Sequence, residues 1–356
     1  MRPARGRYAR LAPWAIGFSL LVLVVFVVVA RIRGGAAAWD DLRRLDLRLL
    51  AGALAFHVAA HVLWGARLSL IAGGLGVPLQ GRTGWRFVTA GVFGGAVTPG
   101  RVGGEAIKLG LLMRRGAPAT QASRVLVADR SLDLSFFLVV GIVAAAVLPT
   151  LFGAAGGEAT RYVVLGSAIL AAFLLLLGLM LASPRMLGRA LHRFGRPLHR
   201  RWPDRGKRIE RFAREVRGGL ATVYRRPGLL VAAIALTLLN WLAEYVVLWT
   251  LLRGFGHPLP YPEVFLIGAV LTIVSNIPVT PGGSGLAETA AAALLLPLAP
   301  GLTLLFPVVW RIVTYWYDLV VGGVVALASA ALKPPRGEGG AGGETAMQAS
   351  RSVHKR

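Results

Sequence analysis

The chain has 356 residues, 55% of them hydrophobic, with no cysteine and a formal net charge of +24. The lack of cysteine excludes disulfides and thiolate catalysis, and the six histidines are scattered, with no Cys/His cluster at metal-ligand spacing. The apolar excess over the about 45–50% of soluble domains lies in six long blocks, which leaves too little polar surface to solvate a globule.

Each block is long enough to cross a hydrocarbon core, which takes about 20 apolar residues. They are Leu11–Ala30, Leu49–Ala72, Val125–Leu148, Tyr162–Ala182, Leu229–Leu252 and Leu302–Leu332. Arg2, Arg5, Arg7 and Arg10 before the first block predict a cytoplasmic N-terminus. That block exceeds the usual h-region of a signal peptide, so a retained anchor is the preferred reading over cleavage near Ala36-Ala37-Ala38. Ala36–Leu47 reads as a short external interfacial helix, although Arg31, Arg33, Arg43, Arg44 and Arg48 would then lie outside. The second block carries His57 and His61 one helical turn apart. They line a polar path or, on the plainer reading, hydrogen-bond between helices.

Trp85–Arg115 cannot form one helix. Phe87–Val97 is too short to span, and Thr98-Pro99-Gly100 stops it because proline removes a donor and disfavours helix in the residue before it. A second short helix is predicted from about Gly103 to Met113. Two short helices around a break read as a re-entrant hairpin, which is tolerated at membrane depth only inside protein or beside water. After the third and fourth spans, Pro184–Gly228 holds fourteen Lys and Arg against three acids. This points to a cytoplasmic loop and anionic lipid before nucleic acid. Within it Ile209, Phe212, Val216 and Leu220 share a helical face among basic residues, as in a helix lying on the inner leaflet or a solvated charged one. Tyr261–Ile277 is again short, and ends in a second break, Pro278–Gly285. The tail 333–356 has a disordered, basic, cytoplasmic composition.

The two breaks resemble each other. Thr98–Glu105 aligns with Thr280–Glu288 with one residue inserted, and each precedes a span with an arginine followed by an aspartate: Arg130 with Asp133, Arg311 with Asp318. Counting crossings, the two hairpins enter from opposite faces, an inverted repeat (one about 49–148, the other about 229–332), as transporters use. The expected architecture is an all-α polytopic membrane protein with six spans and two re-entrant hairpins. Each break ends at a helix N-terminus, whose N–H groups and dipole attract anions. Arg101 sits in the first break and Lys108 two turns on. Glu105 and Glu288 lie in first turns, where capping and ligand roles are equally open. Arg130, Asp133, Glu244, Arg311 and Asp318 are expected to pair inside the bundle, because ionisable groups at membrane depth are costly.

Thr98–Leu111 (TPGRVGGEAIKLGL), Val127–Asp133 (VADRSLD) and Pro278–Glu288 (PVTPGGSGLAE) resemble the membrane domain of lysylphosphatidylglycerol synthases, over roughly residues 11–332. The resemblance implies movement of a phospholipid between leaflets. Only a short polar tail follows Leu332 in this sequence, so the resemblance is expected to stop at the membrane domain and does not imply lysyl-lipid synthesis. Carried over residue by residue, the motif positions are Pro99, Gly100, Arg101, Gly103, Gly104, Glu105, Arg130, Pro281, Gly282, Gly283, Gly285, Glu288 and Arg311, and Thr98 and Lys108 complete the candidate substrate-binding set. Gly283 stands where the first break has Arg101, so that arginine is not duplicated.

The functional expectation is translocation of a phospholipid or lipid-linked anionic substrate. The alternative is an accessory subunit that binds a lipid-linked intermediate in envelope or glycolipid assembly. A membrane-embedded enzyme ranks third, since no nucleophile, base or metal set stands out. No cofactor, metal or nucleic acid is expected; membrane lipid is the expected partner, and a separate enzyme that makes the lipid is the one protein partner this reading leaves room for.

Overall fold

The computed structural model describes residues 5–153, 223 and 225–331. The predicted span Tyr162–Ala182, nearly all of the basic loop 184–228 with its amphipathic stretch, and the tail 333–356 lie outside the described residues. Within them every named element is helical: α1 (Arg5–Arg44), α2 (Leu47–Gly74), α3 (Gly81–Ala96), α4 (Val102–Arg114), α5 (Ala119–Gly153), α6 (Pro227–Gly254), α7 (Tyr261–Ser275), α8 (Leu286–Leu295), α9 (Leu305–Arg311) and α10 (Tyr317–Ala331), with a π-helical turn, Ile312–Trp316, joining the last two.

Among the described residues, four helices are long and apolar enough to cross a membrane: Leu47–Gly74, Ala119–Phe152, Pro227–Gly254 and Leu305–Ser329. At 1.5 Å per residue a 28-residue helix reaches about 42 Å, ample for a core of about 30 Å. They match four of the six expected blocks. The first block lies inside α1, where the apolar stretch is Ile16–Ile32. The exposed faces carry large apolar side chains, among them Val139, Val231, Val324 and Leu327, while arginine, lysine, aspartate and histidine lie inside. This is the distribution a hydrocarbon solvent imposes.

One expectation is corrected. Ala36–Leu47 is not a separate interfacial helix, because α1 continues unbroken to Arg44. Gly34 and Gly35 lie within this helix, where a glycine costs only about 1 kcal/mol relative to alanine. The chain breaks at Leu45-Asp46 instead. There the Asp46 carboxylate accepts from the Arg48 N–H at 2.8 Å and caps α2.

The second half of the chain repeats the element order of the first. The two 28-residue helices α2 and α6 pack along each other and close in the same way. Gly76 (φ 78°) and Gly256 (φ 77°) take the left-handed conformation, and the next N–H reaches back five residues, Val77 N to Ala72 O at 2.8 Å and His257 N to Leu252 O at 2.9 Å. This is the Schellman closure, with Pro78 and Pro258 beyond it preventing continuation. Each long helix then leads to a short helix (α3, α7), a Pro-Gly break, a second short helix (α4, α8) and a long final segment. The halves also exchange contacts: α3 packs on α10 of the other half and α7 on α5.

Glycine sets how closely α3 and α4 pack. A Cβ added at Gly94 would lie 2.6 Å from Gly103 O, and one at Gly104 would lie 2.7 Å from Gly91 O. Small residues substitute for hydrophobic drive where the surrounding lipid is as apolar as the side chains. Gly322 of α10 approaches α3 in the same manner, with Thr89 O 2.7 Å from its would-be Cβ.

Candidate functional site

The two breaks meet. Pro99 and Pro281 form an antiparallel bridge, and each break is held by the other half of the chain. A Cβ at Gly100 would touch Pro278 at 2.8 Å, and one at Gly282 would lie 2.9 Å from Ala96 O at the end of α3. The Tyr315 hydroxyl donates to the same Ala96 carbonyl at 3.2 Å. It also lies 2.6 Å from the Ser19 hydroxyl, which stands 3.0 Å from that of Ser284. Thus α1 is fastened to the second break.

The helix N-termini behind the breaks are largely satisfied from within. The Thr98 hydroxyl accepts from Gly103 N at 2.9 Å and donates to Gly94 O at 2.7 Å. The Glu288 carboxylate accepts from Gly285 N at 2.7 Å. Of the two glutamates, then, Glu288 caps its helix, whereas Glu105 pairs elsewhere. The expectation of free N–H groups at both breaks is therefore corrected: local side chains take several of these donors before any ligand does.

Three polar groups occupy the interior. In the first, Arg67 is fully buried; it donates to Asp129 at 2.8 Å, to both Asp133 oxygens at 2.7 and 3.1 Å, and to Thr237 at 3.0 Å. Lys108 lies 3.0 Å from Glu105 and 3.8 Å from Asp129, and Arg130 bonds Glu105. Trp64 joins them, donating to Asp129 at 2.9 Å with the Lys108 ammonium 4.8 Å from its ring centre. Three cations meet three carboxylates, which answers the desolvation cost of burying each.

In the second group, Arg311 donates to Glu288 at 2.9 Å and to Gly282 O at 3.0 Å, with the Tyr315 ring 4.2 Å away. The arrangement echoes the first half: in each half the glutamate following the break pairs with the arginine of the next long helix, Glu105 with Arg130 and Glu288 with Arg311. In the third, His57 Nδ1 lies 3.0 Å from Glu244 and Nε2 3.2 Å from Asp318, with His61 Nε2 3.3 Å from the same Asp318 oxygen. The interior pairing expected of Arg130, Asp133, Glu244, Arg311 and Asp318 is observed.

A cavity of about 80 Å³ opens beside the second and third groups, room for several waters at about 10–15 Å³ each. His57, His61, Arg101, Asn240, Glu244, Thr272, Ser275, Arg311, Thr314 and Asp318 supply its polar lining, and Trp64, Trp241 and Trp310 form apolar walls. Arg101 adopts a left-handed backbone (φ 58°), the one non-glycine residue among those described to do so. Its Nε is buried with no hydrogen-bond partner. Strain of this kind persists only where surrounding structure enforces it, and here the bridged breaks do so.

Of the fifteen candidate residues, the structure brings only Arg101 and Arg311 to the cavity wall. Thr98, Pro99, Gly100, Pro281, Gly282, Gly283 and Gly285 build the junction beside it. Gly103 and Gly104 form the α3–α4 contact, Glu105, Lys108 and Arg130 belong to the Trp64 group, and Glu288 fixes Arg311. Arg67 escaped the sequence reading, though a lone arginine inside the apolar block Leu49–Ala72 was a usable signal. Asn240, Thr272, Ser275 and Thr314 carried no such signal, because small polar residues are ordinary in membrane helices.

Fold and cavity together define a multi-pass α-helical membrane protein with a charged interior. The chain belongs to the family described as the lysylphosphatidylglycerol synthase TM region, whose sequence model matches residues 14–322. It is similar to a UPF0104 membrane protein of Archaeoglobus fulgidus, 23% identical over 316 residues, covering 86% of this chain and 94% of the relative. A UPF0104 membrane protein of Pyrococcus horikoshii is 24% identical over 300 residues (80% and 88% covered), and one of Methanothermobacter thermautotrophicus 22% identical over 316 residues (86% and 91%).

Proposed function

We propose that this protein moves a phospholipid or lipid-linked anionic substrate between membrane leaflets, with the headgroup passing through the cavity at the bridged breaks. The observation that carries the reading is Arg101. A guanidinium with an unpartnered, buried Nε faces a water-sized cavity, held there by the junction of the two halves. A guanidinium nitrogen buried without a hydrogen bond is costly, and an anionic group entering the cavity removes that cost. The fork geometry of arginine suits a phosphate. The short helices α3 and α7, 16 and 15 residues, reach only about 24 Å, less than the core of about 30 Å. On this reading they enter from opposite faces as re-entrant arms of an inverted repeat. Alternating exposure of the cavity would follow from rocking one half against the other.

The test is headgroup exposure in proteoliposomes containing this protein alone, with a labelled anionic phospholipid. Arg101→Ala should lower the initial rate at least ten-fold, while Arg225→Ala, exposed beyond the cavity, should leave it near wild type. Equal rates for the two variants would remove Arg101 from the site. No exposure with the wild-type protein would instead favour the accessory-subunit reading.

A further inference from the structure

The third interior group has a geometry that ion pairing alone does not explain. His57 and His61 stand one turn apart on α2, the spacing by which a helix presents two imidazoles to one point. Asp318, from α10, meets both: its Oδ1 is 3.2 Å from His57 Nε2 and 3.3 Å from His61 Nε2. Three potential ligand atoms thus lie within 4.8 Å of one another. Around a tetrahedral ion with bonds of about 2.0–2.1 Å, neighbouring ligand atoms are separated by about 3.3 Å. The two Asp318 edges have that length, and the two imidazole nitrogens, within 4.8 Å of each other, would close towards it on binding an ion.

His61 decides between an ion and a simple hydrogen-bonded cluster. Its Nε2 stands 3.3 Å from Asp318, and its Nδ1 is buried without a hydrogen-bond partner among the described residues. Its ring is also 4.6 Å, centre to centre, from that of His57 and stacked on Tyr317 at 6.0 Å. Ring packing thus holds it in place with one ring nitrogen unpartnered among the described residues. His57, by contrast, is oriented by Glu244 at Nδ1. When that nitrogen carries the hydrogen, Nε2 presents a lone pair towards a carboxylate, and such an arrangement calls for a cation between them. A carboxylate behind an imidazole is the usual outer support of a metal-ligating histidine. All three ligand residues also line the cavity, which leaves a fourth position open to water or to an oxygen of a bound molecule.

We propose that His57 Nε2, His61 Nε2 and an Asp318 carboxylate oxygen form a site for a divalent transition-metal ion of the Zn²⁺ class, with Glu244 as the positioning residue for His57. Two nitrogens, one oxygen and an open position suit Zn²⁺ and disfavour Mg²⁺ or Ca²⁺, which take oxygen ligands. The charges agree as well: Asp318 and Glu244 together neutralise a divalent ion, and the Arg101 cation remains in excess. This site stands on its own geometry and does not depend on the translocation reading.

The experiment uses the full chain, purified in detergent through a tag without histidine, stripped with a chelator and dialysed against ZnCl₂. The absence of cysteine removes the usual competing ligand. Wild type should retain about one Zn²⁺ per chain, with X-ray absorption showing a first shell of nitrogen and oxygen and the outer-shell scattering of two imidazoles. His61→Gln should lose the stoichiometric ion, and Glu244→Gln should bind it ten- to hundred-fold more weakly. His257→Ala, remote from the cluster, should bind as wild type. An excess of Mg²⁺ should not displace the ion. Failure of the wild type to retain Zn²⁺, or an absorption spectrum without two imidazoles, overturns the site and makes the cluster a protonated ion pair. Undiminished binding by a folded His61→Gln overturns it equally. If that variant does not fold, the wild-type spectrum alone decides.

Discussion

Arg67 and Arg130 are both paired arginines, yet burial gives them different weight. Arg67 is fully enclosed between Asp129 and Asp133, so Arg67→Ala leaves buried carboxylates without a counter-charge. The expected loss is about 3–5 kcal/mol, read as a fall in the thermal midpoint in detergent. The Arg130 side chain is 36% exposed and its partner Glu105 28%, so solvent screening limits Arg130→Ala to roughly 1 kcal/mol or less. Equal losses in the two variants would contradict the burial argument. Arg311 and Glu288 are buried together, and a cycle of Arg311→Met, Glu288→Gln and the double variant should show coupling of about 0.5–3 kcal/mol. Additive singles would mean that their ion pair adds nothing to stability.

At the scale of elements, the glycine contacts make α3 and α4 one unit. A side chain at Gly103 would have to share space with Gly94 O at 2.5 Å and Thr98 at 2.8 Å, so Gly103→Ala must separate the helices and should cost about 1–3 kcal/mol. Gly110, on the same helix, meets nothing within 4 Å, and Gly110→Ala should stabilise by up to about 1 kcal/mol. Thermal unfolding of the two variants should therefore shift in opposite directions. The glycines of the breaks acquire a different meaning from the one their sequence implied. Gly100 and Gly282 give room to Pro278, Ala96 and Tyr315, not to a ligand. Bulky substitutions there would report the junction of the halves, and Arg101 is the better probe of the cavity.

For the whole molecule, the bridge between Pro99 and Pro281 joins the two breaks. Paired residues of an antiparallel bridge have Cα separations of about 4.5–5.5 Å, within disulfide range. In this cysteine-free chain, Pro99→Cys with Pro281→Cys should form an intramolecular disulfide under mild oxidation, detected by a reversible mobility shift. Absence of crosslinking would place the breaks apart. Orientation in the membrane is a separate matter, and a cytoplasmic C-terminus predicts that Ser350→Cys is inaccessible to an external impermeant thiol reagent. Labelling from outside would reverse the proposed topology.

Apolar runs of membrane-spanning length identify themselves because lipid leaves the backbone no partner but its own helix, so α2, α5, α6 and the α9–α10 segment were legible in the sequence. Proline and glycine marked the two breaks for an equally local reason, the loss of a donor and the freedom of φ. The family followed from those motifs. Which charges meet was not legible: Arg67 lies 62 residues from Asp129, His57 lies 187 from Glu244 and 261 from Asp318, and nothing in a helical period ties such distant positions together. The family resemblance put Gly103 in the candidate substrate-binding set, which Thr98 completed, whereas in the structure the Thr98 hydroxyl bonds Gly103 N and Gly103 packs on Gly94. The sequence determined that charged groups had to be paired in the interior, because hydrocarbon cannot solvate them. Only the tertiary structure decided the partners, and with them the arginine whose Nε is left without one at the cavity.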